Sequence, residues 1–310
     1  MYLFIYQEGE HDVILGRSPV SKYGVNSATT PESRFWTRSK NSLARMTEGS
    51  MNFNRISAII LRHYFLTLHQ MERFFDVLIA PILVLIMWGF LSKYVQDIQS
   101  QTLAAFLLGG MILWVVFEKV STDIGVHFMF DIWDRNIINV LASPITFAEY
   151  LAALISVSFI RILLSLASMG IMAAVFYNFQ ITVLGFGLAL LWVNLFIFAL
   201  SFGILNISLV LRYGHSIGPL TWILPFFVQP FAAVFYPLSI LPPIFQKIAF
   251  VLPIAHVFEG MRFTFQTNQF DFTNFWWALG LNAVYLSASF AFFAYTLRSA
   301  LRSGRLVKLI

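Results

Sequence analysis

The chain has 310 residues, 58% of them hydrophobic and 11% charged, with a net charge of +5 and no cysteine. Soluble domains run at about 45–50% apolar and about 25% charged, so this composition excludes a soluble enzyme, a disordered chain and a nucleic-acid binder. An integral membrane protein is the class that remains. Without cysteine there are no disulfides, iron–sulfur clusters, thiolate zinc sites or cysteine nucleophiles.

Residues 1–51 are the polar part of the chain. The first 50 carry 6 Lys/Arg and 5 Asp/Glu, with Ser, Thr, Asn and Pro between them and no helical period. They read as a disordered cytoplasmic tail; the alternative is that Met51 is the true start, since the membrane pattern begins just after it. Residues 52–310 read as one transmembrane domain.

From Arg55 to Arg73 the polar residues Arg55, Arg62, His69 and Arg73 recur at steps of about seven, which puts them on one helical face. Ile56, Ile59, Ile60, Tyr64 and Leu68 take the other side. This predicts an amphipathic helix in the membrane interface with its basic face, Arg55, Arg62 and Arg73, toward anionic headgroups. The wet end of the first span is the alternative.

A bilayer core of about 30 Å needs about 20 apolar residues per helix. Six spans are predicted, near Phe74–Lys93, Thr102–Val120, Phe147–Tyr177, Ile181–Leu211, Ile217–Tyr236 and Phe275–Leu297. Residues 162–211 contain no Asp, Glu, Lys or Arg, which suits two helices turned at Asn178–Gln180. With both termini in the cytoplasm, ten Lys/Arg after Met51 fall inside and three outside, with Arg161 within a span. That satisfies the positive-inside rule.

Between spans two and three, Ile137, Ile138 and Leu141 fall on one side of a short helix. Asp131, Asp134 and Arg135 surround its start, and Pro144 closes it. This reads either as a docking helix for a cytoplasmic partner or as an ordinary connector. Arg161, near the middle of span three, needs protein or water beside it; Glu118, Glu149 and backbone carbonyls are the candidate partners. It is either a structural ion pair or part of a pathway.

Seven of the eleven prolines lie between Pro219 and Pro253. Each removes a backbone donor, and broken backbone at membrane depth needs protein or a water-filled cavity around it. Two short re-entrant helices are predicted, near Ile244–Leu252 and Ile254–Gln266. The second carries His256, Glu259 and Arg262, with Glu259 and Arg262 spaced to pair. Searches for a phosphate-cradling G-x-x-x-x-G-K-[ST] loop, for H-E-x-x-H and for G-x-S-x-G find nothing, so no ATP, metal or catalytic site is predicted in this chain. The fold class is thus an all-α membrane protein: six transmembrane helices, an N-terminal interfacial helix, a cytoplasmic helix after span two and two re-entrant helices before the last span.

The segment Tyr236-Pro-Leu-Ser-Ile-Leu-Pro followed by Phe250-Val-Leu-Pro-Ile-Ala-His256-Val-Phe-Glu-Gly-Met-Arg262 resembles the ABC-2 type ABC transporter permeases. The loop Trp133-Asp-Arg-Asn-Ile-Ile-Asn-Val-Leu-Ala-Ser-Pro-Ile145 resembles that family's coupling region. The resemblance implies an exporter permease, paired with a second permease copy and with two copies of a separate ATP-hydrolysing subunit. ATP and Mg would be held there and not here. It implies that Asp131, Trp133, Asp134, Arg135 and Asn136 couple to the ATPase. Pro242, Pro253, His256, Glu259 and Arg262 would shape the outer gate. The cargo expected is a lipid-linked glycan, a lipid or a hydrophobic compound. The alternatives are a drug or antibiotic exporter and, outside the class, a membrane-embedded enzyme.

Overall fold

A computed structural model of the chain describes residues 51–98, 101–134, 136–177 and 185–302. The tail before Met51, the turn at Asn178–Gln180, Arg135 and the basic residues after Arg302 lie outside the described residues.

Helix α1 (Phe53–His69) starts where the Asn52 side chain accepts from the Asn54 N–H, and it ends at Gln70 in extended conformation. The chain then turns into α2 (Met71–Phe74), a π-helical turn (Phe75–Ile79) and α3 (Ala80–Ile98). Together these make the first apolar span, Met71–Asp97. The π turn has a local cause. Pro81 cannot donate to the carbonyl four residues back, Val77; the Ser165 hydroxyl donates to it instead, at 2.7 Å. Such wide turns redirect side chains, and this one carries Asp76.

Helix α4 (Gln101–Trp133) has 33 residues, about 50 Å at about 1.5 Å per residue. The expected end at Val120 is therefore wrong. Glu118, Lys119, Asp123 and Asp131 do not mark a water boundary; all four lie within the helix. Asp131 and Trp133 belong to its last turn, not to a loop. Helix α5 (Ile137–Ala142) follows, then α6 (Phe147–Tyr177), with the expected bounds. Helix α7 spans Gly185–Tyr213.

Helices α4 and α7 form the centre. Their spans are 67% and 61% buried, against 22–28% for the outer three, and they are the most extensively packed pair. Small residues permit the approach: a Cβ on Gly125 would stand 2.6 Å from the Asn206 side chain. The outer helices turn Leu83, Met87, Leu164, Ile171 and Val284 outward, as lipid-facing helices do.

The expected fifth span at 217–236 is not a continuous helix. After a 3-10 turn at Gly214–Ile217 comes α8 (Gly218–Ile223), then 3-10 turns at Leu224–Phe227, Gln229–Phe231 and Leu238–Ile240. The prolines are the reason, and neighbours repair the damage. Pro225 cannot donate to Thr221 O, so the Asn206 side chain of α7 does, at 3.0 Å. Ala233 adopts the left-handed region at φ 54°.

Two helices then form an elbow: α9 (Pro243–Val251) and α10 (Pro253–Thr267), bent by 98°. Leu252 is extended between them, as a residue before proline prefers. The last helix is α11 (Phe272–Arg302). Five helices among the described residues are long and apolar enough to cross a membrane, six if the elbow counts as one broken span.

Candidate coupling face, charge cluster and elbow

The end of α4 is the hub of the first site. Asp131 is 4% exposed. Its carboxylate accepts from Arg62 of α1, from the Tyr150 hydroxyl of α6 at 2.5 Å and from the Asn136 amide at 3.1 Å. Asp131 therefore faces inward and ties three elements together. Trp133 and Asp134, two and three residues further on, are exposed. The Trp133 ring lies 6.2 Å from Trp222, across from α8. Ile137 anchors α5 with 1% exposure.

A second clamp lies beside it. Thr146 and Glu149 form a reciprocal capping box at the start of α6: Thr146 N–H donates to Glu149 Oε2 at 2.7 Å, and Glu149 N–H donates to Thr146 Oγ1 at 3.2 Å. Glu149 Oε1 also accepts from the Asn52 N–H at 2.8 Å and lies 3.6 Å from Arg55.

These contacts correct the expected pose of α1. Arg55 and Arg62 turn onto carboxylates of α6 and α4 instead of lipid headgroups, because each finds a fixed anion there. Leu61, Tyr64, Phe65 and Leu68 are the outward residues. Arg73 does not belong to this helix at all; the break at Gln70 places it in the first span.

Arg161 sits in a charge cluster, and the expected partners are wrong. Its guanidinium bonds Asp76 at 3.1 Å and His127 Nε2 at 2.6 Å, with Asp123 at 3.5 Å. Lys119 bonds Asp76 at 2.5 Å. Glu149 is held at the start of α6 by its cap, and Glu118 lies on a different face of α4 from Asp123. His63 of α1 stacks on His127, with ring centroids 4.9 Å apart. Burial, then the cations Arg62, Arg73 and Arg161, push the His63 imidazole from 6.5 down to about 3. It is therefore neutral.

At the other end of the bundle, the expected pair forms. Arg262 Nη1 bonds Glu259 Oε1 at 2.8 Å, and Arg262 Nη2 donates to Tyr236 O at 2.7 Å. Glu259 Oε1 also accepts from the Leu238 N–H at 2.8 Å. Arg262 is 6% exposed, so this is an inward staple from α10 to the proline-broken strand of chain. His256 closes the elbow: Nε2 meets Phe250 O at 2.9 Å, and Nδ1 meets Asn274 Oδ1 of α11 at 2.8 Å. Pro242 precedes α9 and Pro253 opens α10, so both set where the elbow's arms begin.

The family model described as ABC-2 type transporter matches residues 54–266, which is most of the chain and runs from α1 through the elbow. The chain belongs to the ABC-2 type transporter family. It is the membrane-spanning permease subunit of an ABC-type transporter, a multi-pass membrane protein whose family pairs with an ATP-binding-cassette subunit. Comparison with curated proteins finds no match.

Some of the permease's connections escape sequence reasoning although signals for them exist. Lys119, Asp123, His127 and Asp131 recur at four-residue spacing, which places them along one side of α4. Thr146-Phe-Ala-Glu149 is a capping-box pattern. Asp76 gives no such signal, since its direction depends on the π turn.

Proposed function

We propose that this permease is an exporter subunit working in the cell membrane with both termini in the cytoplasm. It moves a lipid-linked glycan, a lipid or a hydrophobic compound outward. The energy comes from ATP hydrolysed, with Mg, on two copies of a separate ATPase subunit, and the permease acts as a homodimer. Its own residues do mechanical work only.

The observation that carries this reading is the Asp131 clamp. Arg62, Asn136 and Tyr150 converge on one buried carboxylate beside the exposed Trp133 and Asp134. A push on α5 or on Trp133 is therefore felt by α1, α4 and α6 together. Asp134 extends the surface a nucleotide-driven partner would press on. The excess of Lys/Arg on that side supports its cytoplasmic placement. The aromatic surface of the spans supports an amphipathic or glycan-bearing cargo, since sugar faces stack on rings.

The test is Trp133→Ala with Asp134→Ala in the assembled complex with its ATPase. Transport-stimulated ATPase activity falls while the subunits still copurify. Unchanged activity with intact assembly refutes the coupling role.

A further inference from the structure

Arg73 stands in the first turn of the first span and is 8% exposed. Its guanidinium lies 5.3 Å from the centroid of the Phe130 ring. No described carboxylate lies within salt-bridge distance of it, and its buried Nη1 has no hydrogen-bond partner. Its neighbours are placed differently. Arg161 has Asp76 and Asp123, and Lys119 has Asp76. Asp131 acts on Arg73 only from a distance, being committed to Arg62, Tyr150 and Asn136. A buried guanidinium without an anion is costly, and its planar fork matches phosphate oxygens.

Arg73 borders a cavity of about 170 Å³. Drug-sized ligands take about 300–1,000 Å³, so this one suits a single small group and excludes a nucleotide or sugar chain. Carboxylates and two further cations also line it. Lys119 and Arg161 are paired with Asp76 and Asp123, and Glu72 and Glu118 have no salt bridge among the described residues, so an anion's contact falls to Arg73, the lining cation with no carboxylate pair, at the end where it covers Phe130. That end lies beside the break at Gln70, where an interfacial helix turns into a span and lipid phosphates sit.

We propose that this cavity is a phosphate-binding site with Arg73 as its cation, taking either the phosphodiester of a membrane lipid or a free phosphate. The site does not depend on export or on the ATPase.

The full chain, purified in uncharged detergent, is followed by thermal unfolding with three probes: dioctanoyl phosphatidylglycerol, dioctanoylglycerol and inorganic phosphate. The phospholipid raises the midpoint and dioctanoylglycerol does not. Arg73→Gln raises the concentration for half-effect at least about tenfold, the loss expected for a charge-assisted contact, and Arg73→Lys raises it less. A shift from inorganic phosphate as well assigns the site to phosphate in general; a shift from the phospholipid alone assigns it to a headgroup. Equal shifts from the two lipids, no shift from any probe, or an undiminished shift in Arg73→Gln overturns the proposal. The wild-type comparison decides even where Arg73→Gln fails to fold.

Discussion

The repaired carbonyl at Thr221 offers a direct test of how this fold tolerates its prolines. Asn206 is 2% exposed and Thr221 fully buried, so losing the 3.0 Å bond between them leaves a carbonyl with no water to turn to. An unsatisfied buried group costs about 1–3 kcal/mol, and interhelical hydrogen bonds in membranes average about 0.6 and reach about 1.7 kcal/mol. Asn206→Ala should therefore destabilise by about 1–3 kcal/mol, part of it from the void beside Gly125. Pro225→Ala restores a backbone N–H aimed at Thr221 O. In that background Asn206→Ala keeps its void but no longer strands the carbonyl, so its cost drops by about 1 kcal/mol. The assay is reversible unfolding in mixed micelles for the four proteins of the cycle. Additivity within about 0.3–0.5 kcal/mol would refute the idea that Asn206 substitutes for the donor Pro225 lacks.

Two further outcomes follow from the site geometry. His63 is neutral in the fold, with its proton affinity lowered from 6.5 to about 3; below pH 6.5 the unfolded chain gains a proton that the folded chain does not. Stability therefore falls as pH drops from 6.5 toward 3, by about 1.4 kcal/mol per unit from this group, and is fully present above 6.5. His63→Gln should flatten the midpoint-against-pH curve; identical slopes would count against it. Arg262→Met should cost about 2–5 kcal/mol, nearer the lower figure because the Glu259 side chain is 25% exposed, and should impair transport while ATPase docking persists. Arg262→Lys retains the Glu259 pair but loses the Tyr236 carbonyl, so it should fall between; full transport by Arg262→Met would remove the gate role.

Punctuation residues made much of this fold legible. Pro144 and the Thr146 cap fix the start of α6. Pro243 and Pro253 each open an arm of the elbow, so both arms lie within a residue or two of expectation. The pairing of Glu259 with Arg262 was equally accessible, because it depends only on helical spacing. The charges inside α4 were misleading for a physical reason. Glu118 and Lys119 look like a water boundary when read along the chain, yet Lys119 and Asp123 are matched by Asp76 and Arg161 from other helices. Such compensation is non-local, and the same holds for Arg62 finding Asp131. Backbone repair is likewise invisible in one segment: Pro81 and Pro225 announce missing donors, but Ser165 and Asn206, which replace them, lie 84 and 19 residues away in sequence.

The elbow has a consequence for how the protein is made. Its arms have 9 and 15 residues, about 13 and 22 Å of helix, against a hydrocarbon core of about 30 Å. Neither arm crosses the bilayer unaided, so the elbow itself offers the insertion machinery no spanning segment. The latch is also late: His256 needs Asn274, which emerges from the ribosome 18 residues after it. The elbow end of the bundle is thus completed after synthesis of the last helix begins, and truncation before Phe272 removes the partner that holds the elbow shut.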